Sequence, residues 1–165
     1  MSTAICPGSF DPMTLGHLNI IRRTSRIFDK VVVLVAYNAA KQRPMFTIEE
    51  RVEMISRVVA RFRNVEVDTY DGLLAEYAKR YKDAIIVKGL RASTDFENEF
   101  RMAQINKTIN PALETMFLTS SEKYTFLSSS VVRELAGYGA DLSEFLPREI
   151  IKDVLARAGA GAGGR

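Results

Sequence analysis

Residues 7–17 read PGSFDPMTLGH: two prolines, two glycines and, at the end, His17, the only histidine of the chain. Before it lies a short apolar run, Ala4-Ile5-Cys6. After it, Leu18, Ile21, Ile27 and Phe28 recur near helical spacing. Strand, turn-rich loop and helix in that order open a parallel α/β sheet. Within the loop, Gly8 lets the backbone approach a ligand closely. Ser9 offers a hydroxyl and an N–H, and Pro12 fixes a turn. Asp11 reads as an acceptor for turn backbone rather than a metal ligand, while Phe10 either covers an aromatic base or packs. Gly16 precedes the expected helix. His17 stands at or near its N-terminus, where the dipole and the first N–H groups favour an anion. A histidine there can donate to a phosphate oxygen that gains charge during transfer, although a lone histidine taken by itself is more often structural.

Reading outward, β-type runs alternate with amphipathic segments. Val31 to Ala36 is continuously apolar, as a strand buried on both faces requires. Val65-Glu66-Val67, Ala84 to Val87 and a run around Met116-Phe117-Leu118 supply three more strands. Thr47 to Glu50 forms a capping box for a helix to Val59. Asp71 is placed to cap a helix holding Leu74, Tyr77, Ala78 and Tyr81. Thr94 to Glu97 reads as another capping box, for a helix to about Thr108. Ser128 or Ser129 caps a helix to about Tyr138, and Pro147 opens a last amphipathic segment through Ala158. The pattern predicts one α/β domain over residues 1–158, a Rossmann-like five-stranded parallel sheet flanked by helices, and a flexible Gly/Ala-rich tail at 159–165.

Composition agrees. A chain of 165 residues can bury roughly 70% of its unfolded surface without staples. Its 47% apolar and 26% charged residues are those of a globular protein. A net charge of +3, with no basic run interleaved with aromatics, gives no reason to expect nucleic acid. No apolar stretch nears the ~20 residues of a membrane span, and no leader is expected. The single cysteine, Cys6, fits a reducing cytoplasm and reads as a small buried hydrophobe.

In open parallel sheets ligands sit beyond the carboxyl ends of the strands. The five segments there bring His17, Lys41, Arg43, Lys88, Arg91 and Lys123 together against only Asp11, Asp71 and Glu122. Lysine and arginine populate exposed loops anyway, but a positive bias over several loops of one rim suits a phosphate-bearing ligand. The later stretch YTFLSSSVVR adds Ser128, Ser129 and Ser130 at a helix start, an anion cradle or an ordinary serine-rich cap, with Arg133 one turn on. There is no GxxxxGK[ST] loop, no GxGxxG after the first strand, no Cys/His metal pattern and no GxSxG.

The pair PGSFDPMTLGH and LSSSVVR resembles the nucleotidyltransferase superfamily marked by a T/HxGH loop and an [I/L]SS[T/S]xxR loop. With KQRPMFTIEER, VKGLRASTDFENEF, QINK and YTFLSSS in order, the chain is similar to bacterial phosphopantetheine adenylyltransferases from Ile5 to about Arg157. The resemblance implies transfer of AMP from ATP to 4′-phosphopantetheine, giving dephospho-coenzyme A and pyrophosphate by direct in-line attack. Mg²⁺ would accompany ATP, with no metal ligand from protein side chains. His17 matches the histidine that stabilises the transition state. Ser9, Phe10, His17, Gly89, Leu90, Arg91, Glu99 and Tyr124, Thr125, Phe126, Leu127, Ser128, Ser129 and Ser130 match ATP-binding positions. Ser9, Lys41, Leu74 and Lys88 match positions holding phosphopantetheine.

Many members carry threonine where Ser9 stands and arginine where Lys88 stands. Serine keeps the hydroxyl, whereas lysine keeps the charge and loses the bidentate fork. The resemblance further implies a cytoplasmic homohexamer, built as a dimer of trimers and open to feedback by coenzyme A. Competing readings are an adenylyl- or cytidylyltransferase acting on nicotinamide mononucleotide or glycerol 3-phosphate, and a non-catalytic nucleotide-binding regulator on the same fold.

Overall fold

The structure is a computed structural model and describes residues 1–37 and 43–162. Its elements are β1 (Thr3–Gly8), α1 (Leu15–Thr24), β2 (Lys30–Ala36), α2 (Ile48–Val59), β3 (Val65–Tyr70), α3 (Leu74–Ala78), β4 (Ala84–Leu90), α4 (Ser93–Ile109), β5 (Glu114–Thr119), α5 (Ser129–Gly137) and α6 (Ile151–Ala162). Short 3₁₀ turns precede α5 and α6. The strands form one all-parallel sheet in the order β3-β2-β1-β4-β5.

Strand alternation divides the core into two layers. Ala4, Cys6, Val31, Val33 and Val35 face α1, α2, α5 and α6, where Ile21, Ile55, Val132 and Val154 pack. Ile5, Val32, Leu34 and Ile86 face the other way, against Ala75, Tyr77 and Ala78 of α3. The continuous apolar run of β2 is thus explained by burial on both faces.

The chain builds outward from β1 to β3 and then returns past β1 to β4. The sheet's switch point therefore lies between β1 and β4, the place where such sheets take ligands. Register makes this an opening. β1 pairs with β2 over six residues, Thr3 to Gly8, but with β4 over only three, Thr3 to Ile5. Beyond Ile5 the two strands separate, and Pro7, which has no N–H for a ladder, falls in the separated part.

Several boundaries differ from the sequence-based expectation. α1 starts at Leu15, earlier than the expected Leu18, because Thr14 is its N-cap; it ends at Thr24, which leaves Ile27 exposed. α3 starts at Leu74 behind Leu73, so Asp71 is not its cap; burial of Ala75, Tyr77 and Ala78 sets the phase instead. α4 starts at Ser93 behind Ala92, so Thr94 lies inside the helix rather than at the cap position expected for it. The Asp95 carboxylate holds that end by accepting the Arg91 backbone N–H at 3.1 Å. β4 runs on through Lys88, Gly89 and Leu90, and α6 runs past Ala158 to Ala162. The Thr47 box of α2 and the Ser128 cap of α5 lie where expected.

Candidate active site

The gap between the carboxyl ends of β1 and β4 opens into a cleft on each face of the sheet. The first, about 370 Å³, lies between α1 and the start of α5 and is floored by Cys6 and Val87. The second, about 410 Å³, lies toward α3 and α4 and takes in Leu74, Met102 and Asn106. Both are lined by Pro7, Gly8, Ser9, Lys88 and Glu99, so they meet at the gap.

His17 lies in the first cleft as the third residue of α1. Its ring Nδ1 accepts the Thr14 backbone N–H at 3.0 Å, while its own N–H donates to Thr14 Oγ1 at 3.3 Å. This is a capping box with histidine in the place usually held by glutamate. A ring nitrogen that accepts cannot carry the proton, so the neutral ring is protonated at Nε2. The ring also stands edge-on to Phe10, with centroids 5.1 Å apart.

Phe10 holds a left-handed backbone, φ +47°, a conformation that costs a non-glycine residue of order 1–3 kcal/mol. Its ring is buried beneath Gly8, where a Cβ would stand 2.9 Å from Cζ. Of the two readings of Phe10, packing is therefore the one its side chain takes. Asp11 is buried and its two carboxylate oxygens accept the N–H groups of Met45 and Phe46, each at 2.9 Å. Asp11 is a backbone acceptor as expected, but its partners belong to the segment before α2 rather than to its own turn.

The LSSSVVR stretch reaches the same loop. Ser129 Oγ donates to Pro12 O at 2.8 Å, and Arg133 donates to Asp11 O at 2.6 Å and to Ser130 Oγ at 3.2 Å. Ser128 Oγ caps Val131 N–H. Ser129 and Arg133 thus fasten the two loops together, while Ser128 and Ser130 bond within the start of α5. The groups of this segment that an anion could meet are the first N–H groups of α5, at Ser129 and Ser130, which have no intrahelical partner. The N-termini of α1 and α5 converge on one cleft, which favours negative charge there.

The rim charges are more balanced than the loops alone suggested. Lys88 pairs with Glu99 at 3.1 Å, and Arg91 with Asp95 at 3.1 Å, both acids coming from α4. Lys123 pairs with Glu144, which holds its ammonium above the usual range. Arg91 also donates to Leu127 O at 2.8 Å, tying β4 to the serine loop. Burial pushes the Cys6 thiol up to about 12. Among the described residues no cluster of His, Cys, Asp or Glu forms a metal cage.

Of the expected ATP-binding residues, Ser9, Phe10, His17, Gly89, Arg91, Glu99, Tyr124, Leu127, Ser128, Ser129 and Ser130 line the first cleft. Leu90, Thr125 and Phe126 do not, and Phe126 is 90% exposed. Ser9, Leu74 and Lys88, expected at phosphopantetheine, line the second cleft. Lys41 lies outside the described residues. Sequence reasoning missed Arg51, a buried arginine of α2 that donates to Ser9 O, Phe46 O and Thr47 O. Its position within the KQRPMFTIEER stretch was the one available signal.

Residues 5–135 match the cytidylyltransferase-like family model. A solved structure from Vibrio parahaemolyticus that carries a nicotinate-nucleotide adenylyltransferase name superposes with a TM-score of 0.69, over 94% of this chain and 95% of that one, at 21% identity. That likeness shows the fold. The fold and the paired loops define a nucleotidyltransferase of the cytidylyltransferase-like class. Among curated relatives, the phosphopantetheine adenylyltransferase of Caldanaerobacter subterraneus subsp. tengcongensis is 54% identical over 89% of this chain and 91% of its own. Those of Rubrobacter xylanophilus and Clostridium botulinum are 49% and 47% identical, over 93% of each chain. The chain belongs to the phosphopantetheine adenylyltransferase family.

Proposed function

We propose that this protein transfers the adenylyl group of ATP to 4′-phosphopantetheine, forming dephospho-coenzyme A and pyrophosphate. One observation carries the reading: two clefts on opposite faces of the sheet meet at Ser9 and Lys88. A nucleotide in one and a phosphorylated arm in the other would bring their phosphates together through the gap. An acceptor phosphate oxygen then attacks the α-phosphorus in line. The new P–O bond forms as the bond to the β-phosphate oxygen breaks, and pyrophosphate leaves with that electron pair. An ionised phosphate is already the nucleophile, so no protein base is needed, and catalysis rests on positioning and charge stabilisation.

In this reading His17 Nε2–H donates to the α-phosphate oxygen that gains charge. The N-termini of α1 and α5 hold the β- and γ-phosphates, and Gly89 to Arg91, with Tyr124 to Ser130, flank the nucleoside. Lys88, Leu74, Ser9 and Lys41 hold the acceptor. Mg²⁺ would accompany the ATP phosphates, where it would supply charge neutralisation. The two carboxylates lining the cleft, Asp95 and Glu99, are engaged by Arg91 and Lys88.

Coenzyme A carries both an adenylyl group and a pantetheine arm, so it would occupy both clefts and compete with both substrates. We assign the reaction to the cytoplasm; no helix among the described residues is long and apolar enough to cross a membrane. We also assign a homohexamer. Phe96, Phe100, Met102 and Ile105, each 44–49% exposed on α4, support burial of that helix between copies.

The test is pyrophosphate release from Mg-ATP with phosphopantetheine, nicotinamide mononucleotide and glycerol 3-phosphate in separate reactions. Release confined to phosphopantetheine is expected. Comparable release with another acceptor, or ATP binding without release from any, would overturn the assignment.

A further inference from the structure

Arg51 is 5% exposed, yet no ion pair among the described residues includes it. A buried guanidinium is expensive unless its donors are satisfied. Here three backbone carbonyls take the Nε and Nη1 donors. Nε donates to Phe46 O at 3.1 Å and Thr47 O at 3.2 Å, and Nη1 donates to Ser9 O at 2.8 Å. The first two belong to the N-cap of Arg51's own helix and the residue before it. The third belongs to the loop after β1, 42 residues away.

The direction of that third bond has a consequence. In a trans peptide the C=O and the following N–H point in opposite directions. Arg51 lies outside the first cleft, whereas Ser9 and Phe10 line it. A Ser9 carbonyl turned to Arg51 therefore turns the Phe10 N–H away from Arg51, at a peptide whose two residues both line the cleft. Phe10 adopts a φ of +47° at this same peptide, a conformation that persists only where its surroundings over-determine it. The Asp11 carboxylate, holding Met45 N–H and Phe46 N–H, ties the loop to the segment that Arg51 also grips. Arg51 and Asp11 thus join the same two segments by opposite bond polarities.

We propose that Arg51 is a positioning residue for adenylyl transfer: by holding the Ser9 carbonyl it aims the Phe10 N–H at the ATP phosphates. The proposal rests on the adenylyltransferase reading above. Arg51 touches no substrate and acts through the peptide it orients. Such a device matters most when charge develops at the phosphate, because a donor preset at that point needs no rearrangement. Displacing a donor by about 1 Å can cost on the order of 100-fold in rate.

The experiment compares wild type with Arg51→Lys, Arg51→Met and, as control, Arg57→Met. Arg57 lies further along α2 and binds Glu53, Glu149 O and Asp153. Wild-type pyrophosphate release with phosphopantetheine comes first; its failure sinks the adenylyltransferase reading. With wild type active, Arg51→Met should lose about 10- to 100-fold in kcat, with the Kd for ATP within about threefold, at a temperature where circular dichroism shows it folded. Arg51→Lys should recover part of kcat, and Arg57→Met should keep kcat. Retained kcat in Arg51→Met, or equal kcat losses in it and the Arg57 control, would overturn the proposal. A second measurement needs no variant. In ¹⁵N-labelled wild type, the α,β-methylene analogue of ATP should move the Phe10 amide proton downfield; an unmoved Phe10 amide would overturn the proposal even if both Arg51 variants unfold.

Discussion

Thr14 and His17 cap one another: the Thr14 backbone N–H donates to the ring Nδ1 at 3.0 Å, and the His17 N–H donates to Thr14 Oγ1 at 3.3 Å. The residue proposed to meet transition-state charge is thus also half of a helix cap. One bond serves both roles, because an accepting Nδ1 fixes the ring's rotation and its tautomer. His17→Ala should lower kcat by the equivalent of ~2.7–4 kcal/mol, the range for losing one preorganised donor. It should cost only ~1 kcal/mol of stability, the usual worth of a cap. Thr14→Ala keeps the imidazole and one of the two bonds, and should lower kcat less than His17→Ala at a similar stability loss. Thr14→Ser should restore both. Steady-state kinetics beside thermal melts separate these outcomes, and an unchanged kcat in His17→Ala removes the catalytic role.

The two loops were legible in the sequence because turn residues, a strand before and a helix after are local signals. The role of each side chain inside them was not. The sequence leaves Ser129 open between an anion cradle and a serine-rich cap, with Arg133 one turn on; both side chains bind carbonyls of the first loop, 117 and 122 residues away. Asp95 and Glu99 sit on a helix rather than in a loop, so a count of charges by loop missed that they balance Arg91 and Lys88. His17 was not read as a cap because the familiar box ends in glutamate or glutamine. Each miss is a partner supplied by tertiary structure or by an unusual cap residue; the five-stranded parallel sheet needed only the apolar runs and their alternation with helices, while its strand order came from the structure.

Lys88 and Glu99 lie at the junction of the two clefts, 3.1 Å apart and each about a quarter exposed in its side chain. A pair that is this wet adds little to stability, ~0–1 kcal/mol, so its value lies in where it leaves a cation. Lys88→Ala should barely change the melting temperature. It should raise the KM for phosphopantetheine about tenfold, the loss expected for one charge-assisted hydrogen bond, with a smaller change in the KM for ATP. Lys88→Arg should hold the acceptor KM near wild type. A larger rise for ATP than for the acceptor would place Lys88 on the nucleotide side.

Cys6 is buried in the cleft floor with its pKa raised to about 12, chiefly because burial penalises the thiolate. A thiol that is protonated in the fold and ionises near pH 8.5 when unfolded makes the native state the better proton binder between those values. Its contribution to stability is complete below the unfolded pKa and fades as pH rises toward 12. The native protein at pH 8 should therefore react slowly with a disulfide-exchange reagent and fast once unfolded in guanidinium. Between pH 8 and 10, wild type should lose unfolding free energy faster than Cys6→Ala. Rapid stoichiometric labelling of the native protein would contradict this placement.

Gly89 couples the cleft to the packing of α1. A Cβ on Gly89 would stand 2.9 Å from Ile20 Cγ1 and 3.2 Å from Cδ1, inside contact distance, with Ile20 buried one turn after His17. Gly89→Ala must displace the Ile20 side chain, and α1 with it where that buried side chain has no room to turn. The cost expected of such overpacking is ~1–3 kcal/mol. Because His17 and Ile20 share a helix face three residues apart, moving α1 also moves the imidazole against the gap. The variant should therefore melt lower and turn over more slowly, with kcat falling more than the affinity for ATP. Ile20→Ala alone should also destabilise, by vacating a buried site. Combined, the two substitutions should cost less than their sum, since the new methyl enters the space the isoleucine leaves. A double-mutant cycle on unfolding free energy and on kcat tests this. Strict additivity in both would show that Gly89 and Ile20 do not meet as the geometry requires.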